Sequence, residues 1–162
     1  MAIDIRGVAP LLQVFDMPAS IHFYRDVLGF GLISTSQPGD NFGWALLRRN
    51  GVDLMLNTAY DVGARPQEPD PARAAAHMNT ALYFGCADVD GAYRRLRAMG
   101  FDVKEPAVAH YGMKQLYITD PDGYNLCFQW PATRSTRDQW RAWYGFDPEN
   151  VNASPAGTTQ LP

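Results

Sequence analysis

Side chains able to do chemistry are few in this chain and widely spaced. Three histidines stand at 22, 77 and 110 and two cysteines at 86 and 127. They form no Cys-x-x-Cys pair, no Ser-His-Asp order and no glycine-rich phosphate loop. Cys86 and Cys127 sit inside the apolar runs TALYFGCA and YNLCFQW, the setting of buried reduced thiols rather than of a disulfide framework or a zinc site. A nucleophilic Cys127 would need a neighbouring base, and none is evident, so an inert thiol is the favoured reading. His22 falls on the polar side of an amphipathic segment. His77 and His110, with a carboxylate such as Glu105, are a conceivable metal set, but their spacing does not demand one. The aromatic residues say more. Phe23, Phe30, Phe84 and Phe101 read as core, whereas Trp44, Tyr83 and Tyr117 occupy hairpin or strand positions from which a ring can stack on a planar ligand. For Trp44 the competing reading is an anchor at a sheet edge.

The elements that must position these residues follow from an internal repeat. Asp16 ends the run PLLQVF and opens MPASIHFYRDVLGF; Asp88, 72 residues on, ends TALYFGCA and opens VDGAYRRLRAMGF. Met17, Ser20, Ile21, Tyr24 and Leu28 have the spacing of one helical face, matched in the second half by Val89, Ala92, Tyr93, Leu96 and, after a one-residue deletion, Met99. Asp16 and Asp88 are N-cap residues, Pro18 is tolerated in the first turn, and Gly29 and Gly100 stand where a left-handed C-cap belongs. A hairpin follows each helix. WALLRR and VDLMLN flank Asn50-Gly51, while KQLYIT and YNLCFQW flank Asp120-Pro121-Asp122-Gly123.

The expected fold is therefore α+β: two βαβββ modules in tandem repeat, forming curved mixed sheets around a cleft with the helices on the outer face. The first module spans 1–60, a connector rich in Pro, Ala and charge spans 61–79, and the second module spans 80–131. One helical turn is expected near Pro71 to Ala76. Residues 132–162 hold a short helix, capped by Ser135 and closed by Gly145, and a tail, VNASPAGTTQLP, expected to fray. Trp140, Trp143 and Tyr144 on that helix need burial, against the chain's own sheet in the plainest case and otherwise as a lid or a dimer contact.

Side chains alternate across a strand, so the open face of each sheet can be written down. It carries Leu11, Gln13, Asp53, Met55 and Asn57 in the first module, and Tyr83, Gly85, Asn125, Cys127 and Gln129 in the second. With Trp44 and Tyr117, the candidate ligand-binding set is Leu11, Gln13, Trp44, Met55, Asn57, Tyr83, Tyr117, Cys127 and Gln129. Such a set, apolar with a few amides, suits a mostly neutral organic molecule held by stacking and directed hydrogen bonds. The alternative for Gln13 and Asn57 is that they satisfy backbone groups at strand ends.

The segments VFDMPASIHFYRDVLGF (14–30) and YITDPDGYNLCFQW (117–130), together with the repeat, resemble the vicinal oxygen chelate superfamily of glyoxalase I, extradiol dioxygenases, fosfomycin-resistance enzymes and bleomycin-resistance proteins. The resemblance covers about residues 7–131. It implies metal ligands on the first and last strands of each module, at positions that fall here on Ala9, Met55, Ala81 and Cys127. Three of these cannot coordinate a divalent cation in an oxygen and nitrogen sphere, and one thiol cannot do so alone. The implied branch is therefore the bleomycin-resistance type: metal-free and without a cofactor, a homodimer that sequesters a small-molecule ligand. A lyase, isomerase or dioxygenase of the same superfamily is the alternative. No strongly acidic cleft of the kind a cationic glycopeptide would need is evident.

Composition narrows the partners. Fourteen basic against seventeen acidic residues give a net charge of −3, which disfavours the phosphate attraction of a nucleic-acid binder. No run approaches a membrane span and no leader pattern opens the chain, so the expected location is the cytoplasm.

Overall fold

The computed structural model describes residues 3–60 and 63–144. The tail from 151 onward and Gly145 lie outside the described residues. The described residues form two four-stranded mixed sheets with four helices, an α+β arrangement of two repeated modules. It divides into two compact units: Met1–Thr80 with Thr119–Tyr124, and Ala81–Ile118 with Asn125–Pro162.

The sheet of unit 1 has the order β1-β4-β3-β2, from β1 (Leu11–Val14), β2 (Gly31–Thr35), β3 (Trp44–Arg49) and β4 (Val52–Thr58). β1 runs parallel to β4, pairing Leu11 with Met55, and β3 runs antiparallel to it, pairing Leu46 with the same Met55. Pleating sends Leu12, Val14, Ala45, Leu47, Leu54 and Leu56 to one face, where all are buried. Helix α1 (Met17–Ile21) starts at Asp16, whose carboxylate accepts from Ala19 N. The regular helix predicted up to Gly29 ends early. From His22 to Val27 the turns widen into a π-helix, with Leu28 N bonded to Phe23 O five residues back. The wider turn lets Phe23, Tyr24 and Val27 all reach the core. Gly29, at φ 82°, closes it as expected. The β3–β4 turn takes the mirror-image form that Asn-Gly favours, with φ 48° at Asn50 and 79° at Gly51. Because β3 lies between β2 and β4, Trp44 is not a sheet-edge residue.

The connector contributes helix α2 (Pro71–His77), longer than the single turn predicted, capped by Asp70 accepting from Ala72 N. The turn 119–124 also belongs to unit 1, held by carboxylates that almost no water reaches. Asp120 accepts from Tyr24 Oη (2.8 Å), Asp122 N and Tyr124 N; Asp122 accepts from Phe15 N and Ser20 Oγ. Ser20 is thus a fully buried polar residue on the α1 core face whose hydroxyl is satisfied.

Unit 2 repeats the plan with order β5-β8-β7-β6: β5 (Ala81–Gly85), β6 (Ala107–Val108), β7 (Met113–Thr119) and β8 (Asn125–Pro131). Helix α3 (Val89–Ala98), capped by Asp88 at 2.7 Å from Gly91 N, buries Val89 and Leu96, and Gly100 ends it at φ 88°. Helix α4 (Arg134–Tyr144) does not begin at Ser135. Thr133 and Thr136 exchange backbone and hydroxyl hydrogen bonds reciprocally, so the cap lies two residues earlier than predicted. Trp140 packs on Trp130 of β8, ring centroids 5.9 Å apart, which is the plainer of the alternatives for that helix. The side chains of Trp143 and Tyr144 lie outside the described residues. Among the described residues no helix is long and apolar enough to cross a membrane.

Candidate functional site

Each sheet has a face opposite its buried one. In unit 1 the register sets rows across β1, β4 and β3: Leu11, Met55 and Leu46, then Gln13, Asn57 and Trp44. Leu11 is 47% exposed. The amides of Asn57 and Gln13 bond to each other at 3.3 Å, and Asn57 also bonds to Thr58 O. Each end of the face therefore keeps polar capacity while the middle row is apolar. Beyond Met55, Arg48 forks onto Asp53 at 2.5 and 2.8 Å, and that bonding holds the Asp53 carboxyl below its ordinary range.

The face of unit 2 is built from phenols and amides. Tyr83, Tyr111 and Tyr117 are about half exposed. Beneath them Gln115, on β7 two residues before Tyr117, is buried with its amide fully employed: it donates to Tyr111 Oη (2.6 Å) and Gln129 Oε1 (2.9 Å) and accepts from Tyr117 Oη (3.0 Å). This fixes Tyr111 and Tyr117 before any ligand arrives, and Tyr117 in turn bonds to Tyr83. Bonding to Tyr83, then desolvation, then Cys127 push the Tyr117 phenol up, so it stays neutral at physiological pH. Cys127 pairs with Tyr83 in the register and its side chain is wholly covered. Burial pushes its thiol up as well, which is the opposite of nucleophile activation. Cys127 backs the tyrosines rather than offering itself to a ligand.

Two members of this group escaped the sequence reading. Gln115 was reachable, since alternation from Tyr117 puts it on the same face. Tyr111 lies in the loop before β7, where no periodicity points to it. Of the three histidines, His110 adjoins this face, while His22 and His77 belong to unit 1. His22 is exposed and bonds to Asp26; His110 stands edge-on to Tyr111; His77 stacks on Tyr124 at 4.1 Å, its Nδ1 donating to Asp122 O.

The positions that the fold would use for a metal do not fit one. Met55 lies between Leu11 and Leu46, and Cys127 is covered; Ala9 and Ala81 have no donor atom. Among the described residues no three His, Cys, Asp or Glu side chains are placed so that they could hold a metal ion.

A repeat of βαβββ modules, each with one open face, defines a class of protein that known relatives share. The chain belongs to the Glyoxalase/Bleomycin resistance protein/Dioxygenase superfamily, which residues 7–128 match. It is 29% identical over 123 residues to a lactoylglutathione lyase of Haemophilus influenzae, covering 73% of this chain and 87% of the relative. Among solved structures it resembles TnmS3, an antibiotic binding protein from Streptomyces sp. CB03234, with a TM-score of 0.59 and 25% identity over 80% of this chain and 99% of that one. It also resembles a bleomycin-binding protein complexed with bleomycin, with a TM-score of 0.57 and 20% identity over 77% and 98% of the two chains. The latter likeness is one of fold. Helix α4 follows the matched stretch.

Proposed function

We propose that this protein is a metal-independent binding protein of its superfamily that holds a small, mostly neutral, planar organic ligand and does not convert it. The observation that carries the reading is the preorganised tyrosine face of unit 2: Tyr83, Tyr111 and Tyr117 half exposed over the saturated Gln115 amide. Stacking on phenol rings and hydrogen bonds to their hydroxyls select a flat, uncharged molecule. Leu11, Met55 and Trp44, with the Gln13 and Asn57 amides, give unit 1 a face of similar character. A homodimer in the cytoplasm is part of the proposal, supported by the superfamily resemblance.

The likeness to a lactoylglutathione lyase favours a second reading, an enzyme of the superfamily. Against it stand Ala9, Met55, Ala81 and a covered Cys127 at the positions where such an enzyme would hold its metal. Elemental analysis of the purified protein, with a fluorescence-quenching screen of natural-product antibiotics and aromatic metabolites in low and high salt, separates the two. The expected result is no stoichiometric divalent metal and binding that salt leaves nearly unchanged. One tightly held zinc, nickel, iron or manganese per chain, or binding that collapses in salt, overturns the proposal.

A further inference from the structure

Unit 1 contains a second recess, where the β1–α1 junction, helix α2 and the turn 119–124 meet. Its volume is about 190 Å³ and its walls are mainly apolar, with Phe15 and Tyr60 edge to face at 5.8 Å and Ala19, Ala59 and Ala74 around them. An apolar cavity of about 150 Å³ accommodates benzene, so this space takes one aromatic ring with a short arm.

The polar groups of the lining decide what the arm carries. Two of its three carboxylates are engaged by the protein on both oxygens: Asp16 by Ala19 N and Arg65, and Asp122 by Phe15 N and Ser20 Oγ. Asp70 caps α2 through Ala72 N, where the helix dipole offsets part of its charge. The remaining capacity is mostly that of a donor. Gln13 has its carbonyl engaged by Asn57, which leaves its amide hydrogens for a ligand. The Arg73 guanidinium lies over the Tyr60 ring at 5.7 Å, and among the described residues no carboxylate reaches it. Arg65 makes the contrast: it covers Phe15 in the same way, at 5.4 Å, but its charge is met by Asp16 at 3.0 Å. A guanidinium lying over a ring and without a carboxylate partner has N–H donors left for a planar carboxylate.

We propose that this recess binds a single-ring aromatic monocarboxylate, with its ring against Phe15 and Tyr60 and its carboxylate on Arg73. The recess shares no residue with the tyrosine face, and either proposal can fail without the other. Phenylacetate is the probe, and benzylamine carries the opposite charge on the same ring. Binding is followed by calorimetry, and by amide shifts of the intact protein in a heteronuclear NMR titration. The expected result is saturable phenylacetate binding that moves the amides of Phe15, Ala19, Tyr60 and Ala74 and exceeds that of benzylamine. It weakens about tenfold or more in Arg73→Gln, is partly retained in Arg73→Lys and is unchanged in Arg94→Gln, which removes an exposed arginine of α3. Absence of saturable binding at millimolar concentration overturns the proposal. So does benzylamine binding as tightly, equal affinity in Arg73→Gln, or shifts confined to the strand amides around Tyr117.

Discussion

The two sheets agree on their buried sides and disagree on their open ones. In unit 1 the buried strand face includes Ala45, Leu47 and Leu54, and in unit 2 Leu116, Ile118 and Leu126 line the corresponding positions of β7 and β8, while Phe84 and Phe128 stack where unit 1 has Leu12 and Leu56. Opposite them, Leu11 has Tyr83 as its counterpart 72 residues on, Met55 has Cys127, and the charged Asp53 has Asn125. Packing keeps one face apolar in both units, whereas the other is free to diverge in polarity. That divergence supports the proposed function, in which the phenols of unit 2 hold the ligand.

The turns diverge even more than the faces, and they offer the largest test of the comparison. Gly51 and Gly123 are repeat equivalents and both have positive φ, but a Cβ on Gly51 would meet nothing within 4 Å, while one on Gly123 would stand 2.7 Å from Ala74 O of α2. Gly51→Ala should cost only the left-handed penalty of about 1–2 kcal/mol. Gly123→Ala adds a clash with backbone that cannot rotate away, for a total of about 3 kcal/mol or more. Urea unfolding of the two variants measures the difference; equal losses would show that the α2 contact does not constrain the turn.

Next in size is a test of the open faces. Tyr117→Ala should weaken a bound planar ligand by about 1–3 kcal/mol, as loss of a buried aromatic wall does, and Leu46→Ala, its counterpart across from Met55, by less. Quenching titrations with any hit from the screen make the comparison. Binding that survives Tyr117→Ala and Tyr83→Ala together would remove unit 2 from recognition.

Much of this architecture was legible from residue spacing. Alternation and the 72-residue offset identify both open faces, because period-2 burial and helix caps are local consequences of the chain. The widened turn at His22–Val27 was not, since the residues it buries, Phe23, Tyr24 and Val27, have a spacing in the sequence that a regular helix would also show. Nor was the role of Asp120 and Asp122: on the sequence they are turn formers, and only packing on Tyr24, Ser20 and Phe15 turns them into buried acceptors. The recess beside Arg73 depends on the connector folding back on Phe15 and Tyr60, a long-range event that no local period encodes.

Those buried carboxylates give the third test, one of sign. Burial pushes the Asp120 carboxyl up, and its hydrogen bonds with Tyr24 Oη and two amides only partly oppose this. The native state thus takes up a proton before the unfolded chain does. Asp120 adds stability as pH falls from neutrality toward its unfolded value of about 3.9, and loses that contribution as pH rises through the folded value. Exposed Asp26, held at about 2 by Arg25 and His22, has the opposite sign: its contribution is present above about 3.9 and is lost as pH falls through the folded value. In urea midpoints measured from neutral pH down to about pH 3, the wild-type protein should gain on Asp120→Asn with acidification and, at the acid end, lose ground to Asp26→Asn. A reversed slope for Asp120→Asn would mean that hydrogen bonding outweighs burial.

The smallest effect belongs to the ion pair on the unit 1 face. Arg48 and Asp53 are joined by two short hydrogen bonds, but both lie at the surface, where water and salt screen the charges. The pair should scarcely register in global stability, although it does set the local charge of the face. Removing Arg48 by Arg48→Ala should let the Asp53 carboxyl rise toward its ordinary range, because bonding to that guanidinium is the largest cause of its depression. NMR titration of the Asp53 side chain reads this directly, with Asn125→Asp, which places a carboxylate at the equivalent position of unit 2, as the control for a face without a paired arginine. If Asp53 titrates unchanged in Arg48→Ala, the pair is not what separates the charged edge of one face from the neutral edge of the other.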